Sequence, residues 1–218
     1  GYDPDFGLAP VSSWNAGGNG SSGGGSGTIL TIMKPSGILY PDGTVVRVPP
    51  VVLDLNGDGH LDIRPLEQNN ITTTGVSFDW DGDGKADRTA WVGPEDGLLV
   101  IDLAADGTIG ADGKIDQARE IAFALWKTED ERQAELRQKG VDDTGRPVTD
   151  LEGLRYAFDS NGDNILDNRD TRWSEFRVWQ DMNQNGFADE GELYTLDEAG
   201  IRFIDLMPSS EGTMAFHD

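Results

Sequence analysis

The chain has 218 residues, 36% of them hydrophobic, enough for a sizeable core, and its 17 Lys and Arg face 40 Asp and Glu, a formal net charge of -23. Such a charge repels phosphate, which argues against nucleic acid and anionic membranes as partners and makes cations the natural counterparts. With no cysteine, disulfide staples, thiolate zinc sites and cysteine nucleophiles are excluded.

Residues 1–27 are dominated by Gly, Ser and Asn and have little side chain to bury, so they read as a linker. Tyr2, Phe6, Leu8 and Trp14 would also let this stretch act as a docking tail. Its first residues lack the basic and apolar regions of a signal peptide, and no apolar run reaches the roughly 18 residues of a membrane span. A signal already removed, or export by another route as part of a longer bacterial chain, is the expectation. Residues 28–48 are β-branched and apolar around Pro41-Asp42-Gly43, which predicts a β-hairpin. Residues 49–218 form the remaining module.

Val51-Val52-Leu53 and Val76-Ser77-Phe78 predict short strands, each feeding an acidic loop, and Leu98–Ile101 predicts a third, buried one. Thr128 with Glu131 and Thr149 with Glu152 fit capping boxes. The first helix should run to Lys139, where Gly140 stops it, and is polar enough to read as a solvated projection. The second should run from Asp150 to Phe158, and Thr195 with Glu198 predicts a short final helix. The resulting fold class is α+β, with short strands and β-hairpins early and helices with EF-hand-like calcium loops late.

Four segments repeat one acidic pattern. Asp54, Asn56, Asp58 and Asp62, then Asp79, Asp81, Asp83 and Asp87, fill the first, third, fifth and ninth positions of an EF-hand loop, with Gly at the sixth. Asp159, Asn161, Asp163 and Asp167 do so again, with Asn164 at the sixth position and Asp170 at the twelfth. Asp181, Asn183, Asn185 and Asp189 complete the set, and Glu192 at the twelfth position has an arm long enough to bind through both oxygens. At the seventh position, His60, Lys85, Ile165 and Phe187 would each offer a backbone carbonyl. The first two loops have Pro65 and Ala90 at the twelfth position and need an oxygen from elsewhere, for which Glu95 and Asp96 are candidates. In a fifth segment, Asp102, Asp106, Asp112, Asp116 and Glu120 are acidic without a single register. All-oxygen donors favour calcium over zinc, copper or magnesium, so three to five calcium ions are the expected cofactor. The alternative for each loop is an exposed Asx-Gly turn with no ion. Trp residues read as core packing rather than a sugar platform.

The order Val-Val-Leu-Asp-Leu-Asn-Gly-Asp-Gly, Phe-Asp-Trp-Asp-Gly-Asp-Gly, Trp-Val-Gly-Pro-Glu-Asp-Gly-Leu-Leu-Val, Asp-Ser-Asn-Gly-Asp-Asn and Phe-Arg-Val-Trp-Gln-Asp-Met-Asn-Gln-Asn-Gly resembles the calcium-dependent self-processing module of repeat-in-toxin (RTX) proteins of the iron-regulated Frp type, over about residues 50–206. The resemblance implies a calcium scaffold that cuts an Asp-Pro bond at its edge and joins the new end to a Lys. The matching junction here is Pro49-Pro50, which lacks the carboxylate, and Asp3-Pro4 is the chain's single Asp-Pro. The expected function is therefore a secreted or cell-surface calcium-binding structural or adhesion module, not an enzyme, whose other partners are neighbouring domains or another protein. A self-cleaving, isopeptide-forming module and a dockerin-like binding module are the alternatives.

Overall fold

The computed structural model describes residues 50–64, 76–80, 82–141 and 148–207, and by backbone alone 29–32, 37–39, 45–47 and 213–215. The linker, Asp3-Pro4, Pro49, Asp81 and His217 lie outside the described residues.

The strands in chain order are β1 (Ile29–Ile32), β2 (Gly37–Leu39), β3 (Val45–Arg47), β4 (Val51–Leu53), β5 (Ile63–Arg64), β6 (Ser77–Phe78), β7 (Asp87–Arg88), β8 (Trp91–Val92) and β9 (Gly97–Ile101). Three helices follow, α1 (Ala118–Ile121), α2 (Glu129–Lys139) and α3 (Asp150–Ala157), with a 3-10 turn at Phe123–Trp126. Strands then return as β10 (Ile165–Asp167), β11 (Phe176–Trp179), β12 (Leu193–Thr195), β13 (Phe203–Asp205) and β14 (Thr213–Ala215).

The central sheet has six strands in the order β12-β11-β9-β4-β1-β14, all neighbours antiparallel. Four two-stranded ladders, β2-β3, β5-β8, β6-β7 and β10-β13, pair separately from it. Alternation along the strands divides the apolar residues between two faces. Val51, Leu53, Leu99, Ile101, Phe176 and Val178 join Phe123, Leu151, Leu154 and Phe158 from the helical side. Val52, Leu98, Val100 and Trp179 instead join Phe78, Trp80, Trp91 and Ile121. Both faces being covered, β4 and β9 are buried along their whole lengths.

The expectation of strands early and helices late is overturned. Strands occupy both halves of the chain, the helices sit between β9 and β10, and the fold is sheet-rich. Nor do helix pairs flank the acidic loops: the loop from Asp181 lies between β11 and β12, and the loop from Asp159 contains β10. The physical reason is that Phe176, Val178 and Trp179 alternate across a sheet whose other strands lie far upstream, and cross-strand burial outweighs local helical signals. The Thr195 box forms, with the Thr195 hydroxyl accepting from the Glu198 amide at 3.1 Å, yet it starts only a turn. Ile201 N–H closes that turn on the Leu196 carbonyl at 2.8 Å with Gly200 at φ 75.

α2 is capped as expected by Thr128 and ended by left-handed Gly140. It is not a free projection, because Arg132 is 1% exposed and its guanidinium bonds Glu152 on α3 at 3.3 Å and Glu129 at 3.2 Å. Lys127, also buried, pairs with Glu135 on the same helix. α3 comes so close to the 3-10 turn that a β-carbon at Gly153 would be driven into the Phe123 carbonyl.

Candidate metal centre

The loop from Asp54 leaves β4 at the end of the central sheet, where the strand fixes Asp54 in a buried position. Its carboxylate accepts from Gly57 N–H at 2.7 Å and Gly59 N–H at 2.8 Å, so the backbone wraps around the first side chain. Asn56 Oδ1 accepts from Asp58 N–H at 2.9 Å, and Asp58 Oδ1 from His60 N–H at 2.8 Å. These are successive Asx turns, the local reason that Asp and Asn at alternate positions coil the chain. The His60 side chain is exposed.

The same wrapping recurs in the other loops. Asp79 accepts from Gly82 and Gly84 at 2.8 and 2.9 Å, and Asp83 from Lys85 N–H at 2.8 Å. Asp159 accepts from Gly162 and Asn164 at 2.7 and 2.9 Å, Asn161 from Asp163 and Asp163 from Ile165, both at 2.9 Å. Asp181 accepts from Asn185 at 3.1 Å and Gly186 at 2.9 Å, Asn183 from Asn185 at 3.1 Å and Asn185 from Phe187 at 2.7 Å. Asn164 takes the left-handed conformation, φ 65, that glycine holds in the sister loops.

A second carboxylate closes four of the five segments in one manner. Glu192 accepts from Met182 N–H at 3.0 Å with one oxygen and from Asp189 N–H at 3.2 Å with the other, the amides of the loop's second and ninth residues. Asp170 does the same for Ser160 at 2.7 Å and Asp167 at 2.9 Å. For the loop from Asp54, whose twelfth residue is proline, Asp96 arrives from the turn between β8 and β9 and accepts from Leu55 at 3.3 Å and Asp62 at 2.7 Å. Glu95 stays on the surface, where its carboxylate accepts from Asn56 Nδ2 at 3.2 Å. In the segment from Asp102, Glu120 accepts from Leu103 at 2.9 Å and Asp116 at 2.8 Å. That segment lacked a register because a small hairpin, bridged at Leu103 and Ile109 with Asp106 at its tip, interrupts the loop. Beyond the hairpin, Asp102 accepts from Asp112 and Gly113 at 2.9 and 3.1 Å, and Asp112 from Lys114 at 2.9 Å.

All four closing acids are buried. Burial pushes Asp96 up to about 6 and Glu120 up to about 7, against the lowering effect of the amides they accept. Other members behave oppositely: hydrogen bonds from Asn183 and Asn185 hold the exposed Asp189 low, and Arg169 does so for the half-buried Asp167. Among the described residues, no group of three or more His, Cys, Asp or Glu side chains is gathered around a metal-sized point. The donors that each loop offers are nonetheless carboxylate, amide and carbonyl oxygens, the set suited to a hard cation such as calcium. Of the two candidates for the open end of the loop from Asp54, Asp96 takes the position and Glu95 does not, a choice that no fixed interval from Asp54 could make.

The match to the SPM domain family covers residues 51–217, most of the chain. The chain belongs to the SPM domain family. The chain is also 34% identical over 157 residues to the iron-regulated protein FrpA of Neisseria meningitidis serogroup C, an alignment that takes in 72% of this chain and 12% of FrpA. The chain thus corresponds to a small fraction of that relative's length. Among the described residues of the SPM domain, no helix is long and apolar enough to cross a membrane.

Proposed function

We propose that this SPM domain is a calcium-binding module of a longer, exported, RTX-like bacterial protein, and that the cations it takes up hold its loops and sheet together. The observation that supports the reading is the fourfold recurrence of one arrangement, a wrapped first acid and a buried second acid on two loop amides, those of the second and ninth residues in three loops and of Leu103 and Asp116 in the segment split by the hairpin. Asp54, Asn56, Asp58, Asp62 and Asp96 would supply side-chain oxygens in the first site, with the His60 carbonyl. Asp102, Asp112, Asp116 and Glu120 would serve the split segment. Asp159, Asn161, Asp163, Asp167 and Asp170 would serve a third site with the Ile165 carbonyl, and Asp181, Asn183, Asn185, Asp189 and Glu192 a fourth with the Phe187 carbonyl. The loop from Asp79 has Ala90 at its twelfth position and would bind more weakly.

Bound calcium supplies concentrated positive charge, which offsets mutual repulsion in a chain of net charge -23. Outside the cell, where calcium is plentiful, the module would be rigid, consistent with a structural or adhesive role next to other domains. Calorimetric titration with calcium, followed in parallel by circular dichroism, tests the proposal. Uptake of several ions with a gain in ordered structure is expected, and neither uptake nor spectral change would refute it.

A further inference from the structure

The segment Trp91–Asp96 touches two of the loops at once. Toward the loop from Asp181, the Trp91 indole N–H donates to Asp181 Oδ2 at 2.8 Å, inside the protein. Gln184 Nε2 donates to the Val92 carbonyl at 3.0 Å, and Gln180 Nε2, just before the loop, to the Pro94 carbonyl at 2.8 Å. Toward the loop from Asp54, Gly93 N–H donates to the Asp62 carbonyl at 2.5 Å, and the Asp96 carboxylate holds the Leu55 and Asp62 amides. Trp91 cannot easily shift, because its ring is stacked on Phe78 at 6.2 Å and meets Trp179 edge-on at 5.3 Å. Asp181 is 0% exposed, so the orientation of this first acid depends on the Gly186 and Asn185 amides and on that indole.

Resting on the calcium reading, we propose that Trp91–Asp96 couples the two loops, with Trp91 as the positioning residue for Asp181, so that a cation in the loop from Asp54 strengthens uptake in the loop from Asp181. Closing the first loop on Asp96 fixes one end of the segment. Fixing it sets the indole at the other end, so that part of the ordering needed in the second loop is already done. The coupling is reciprocal, and its reach is selective. The loop from Asp159 is closed by its own Asp170 through local bonds and should bind independently.

The test is a mutant cycle read by calorimetric titration with calcium and by the emission of the tryptophans. Asp58→Asn weakens the loop from Asp54 at an exposed position, and Trp91→Phe keeps the ring stack while removing the indole donor. Asp58→Asn should lower affinity in the loop from Asp181 by about 5-fold or more, the lower end of ordinary coupling. In the Trp91→Phe background the same change should alter it by less than about 2-fold. Gln184→Asn, too short to reach Val92, gives a second route to the same loss of coupling, and near-ultraviolet circular dichroism checks that each variant is folded. Calcium uptake by the parent with an unchanged Asp181 loop in Asp58→Asn overturns the coupling and leaves the calcium reading standing. Absence of uptake by the parent overturns both.

Discussion

Among the described residues, Asp150 is the one carboxylate wholly removed from water that belongs to none of the loops. One oxygen accepts from the Ala124 amide at 2.8 Å, while the other is buried without a hydrogen-bond partner. Burial pushes its carboxyl up to about 8, the hydrogen bond from the Ala124 amide only partly opposing this. The folded protein therefore keeps a proton here that the unfolded chain releases near pH 4. The stabilising contribution is complete below about pH 4 and is lost as pH rises toward about 8. Asp150→Asn should be more stable than the parent at pH 8, by an amount on the order of a few kcal/mol, and the difference should shrink and reverse toward pH 4. Urea denaturation of both proteins across that range measures it. Glu135, held down to about 2 by Lys127 and Lys139, acts in the opposite sense and only at lower pH, so the two effects separate.

Among the elements, α2 and α3 are joined by charge where the sheet is joined by apolar contacts. Removing Arg132 strands Glu152, 8% exposed, without its guanidinium, so Arg132→Ala should cost about 3 kcal/mol. Adding Glu152→Gln should return part of that loss in a double-mutant cycle of denaturation midpoints, since the uncompensated charge goes with it. Gly153 makes a second argument about packing. On an exposed helix, Ala for Gly gains about 1 kcal/mol, but here the new methyl meets the Phe123 carbonyl. A net loss of about 1–3 kcal/mol is expected for Gly153→Ala, readable as a lower thermal midpoint.

At the scale of the molecule, the charge of -23 and the buried closing acids make stability depend on the ionic surroundings. Each calcium site filled at 100 times its dissociation constant should add about 2.7 kcal/mol, so thermal midpoints should climb with calcium and fall back on chelation. Magnesium at equal concentration should do less, because it parts with its waters reluctantly. A midpoint insensitive to calcium would contradict this.

Much was legible in the chain by itself. The acidic loops, the capping boxes at Thr128 and Thr149 and the left-handed turns at Gly140 and Asn164 rest on neighbours a few residues apart, so local spacing was enough to find them. Asp170 and Glu192 were found the same way, at the twelfth positions of their loops, but the sheet and the acid that closes the loop from Asp54 were another matter. β11 pairs with β9 across most of a hundred residues, and Asp96 reaches back to Leu55 and Asp62, contacts no local pattern encodes. Alternation told that Phe176, Val178 and Trp179 were apolar, but only burial on two faces of one sheet decided that they form a strand. So the sequence determined which side chains coil the acidic loops. The tertiary structure decided which distant carboxylate closes the loop from Asp54, because that depends on the turn between two strands being carried to it.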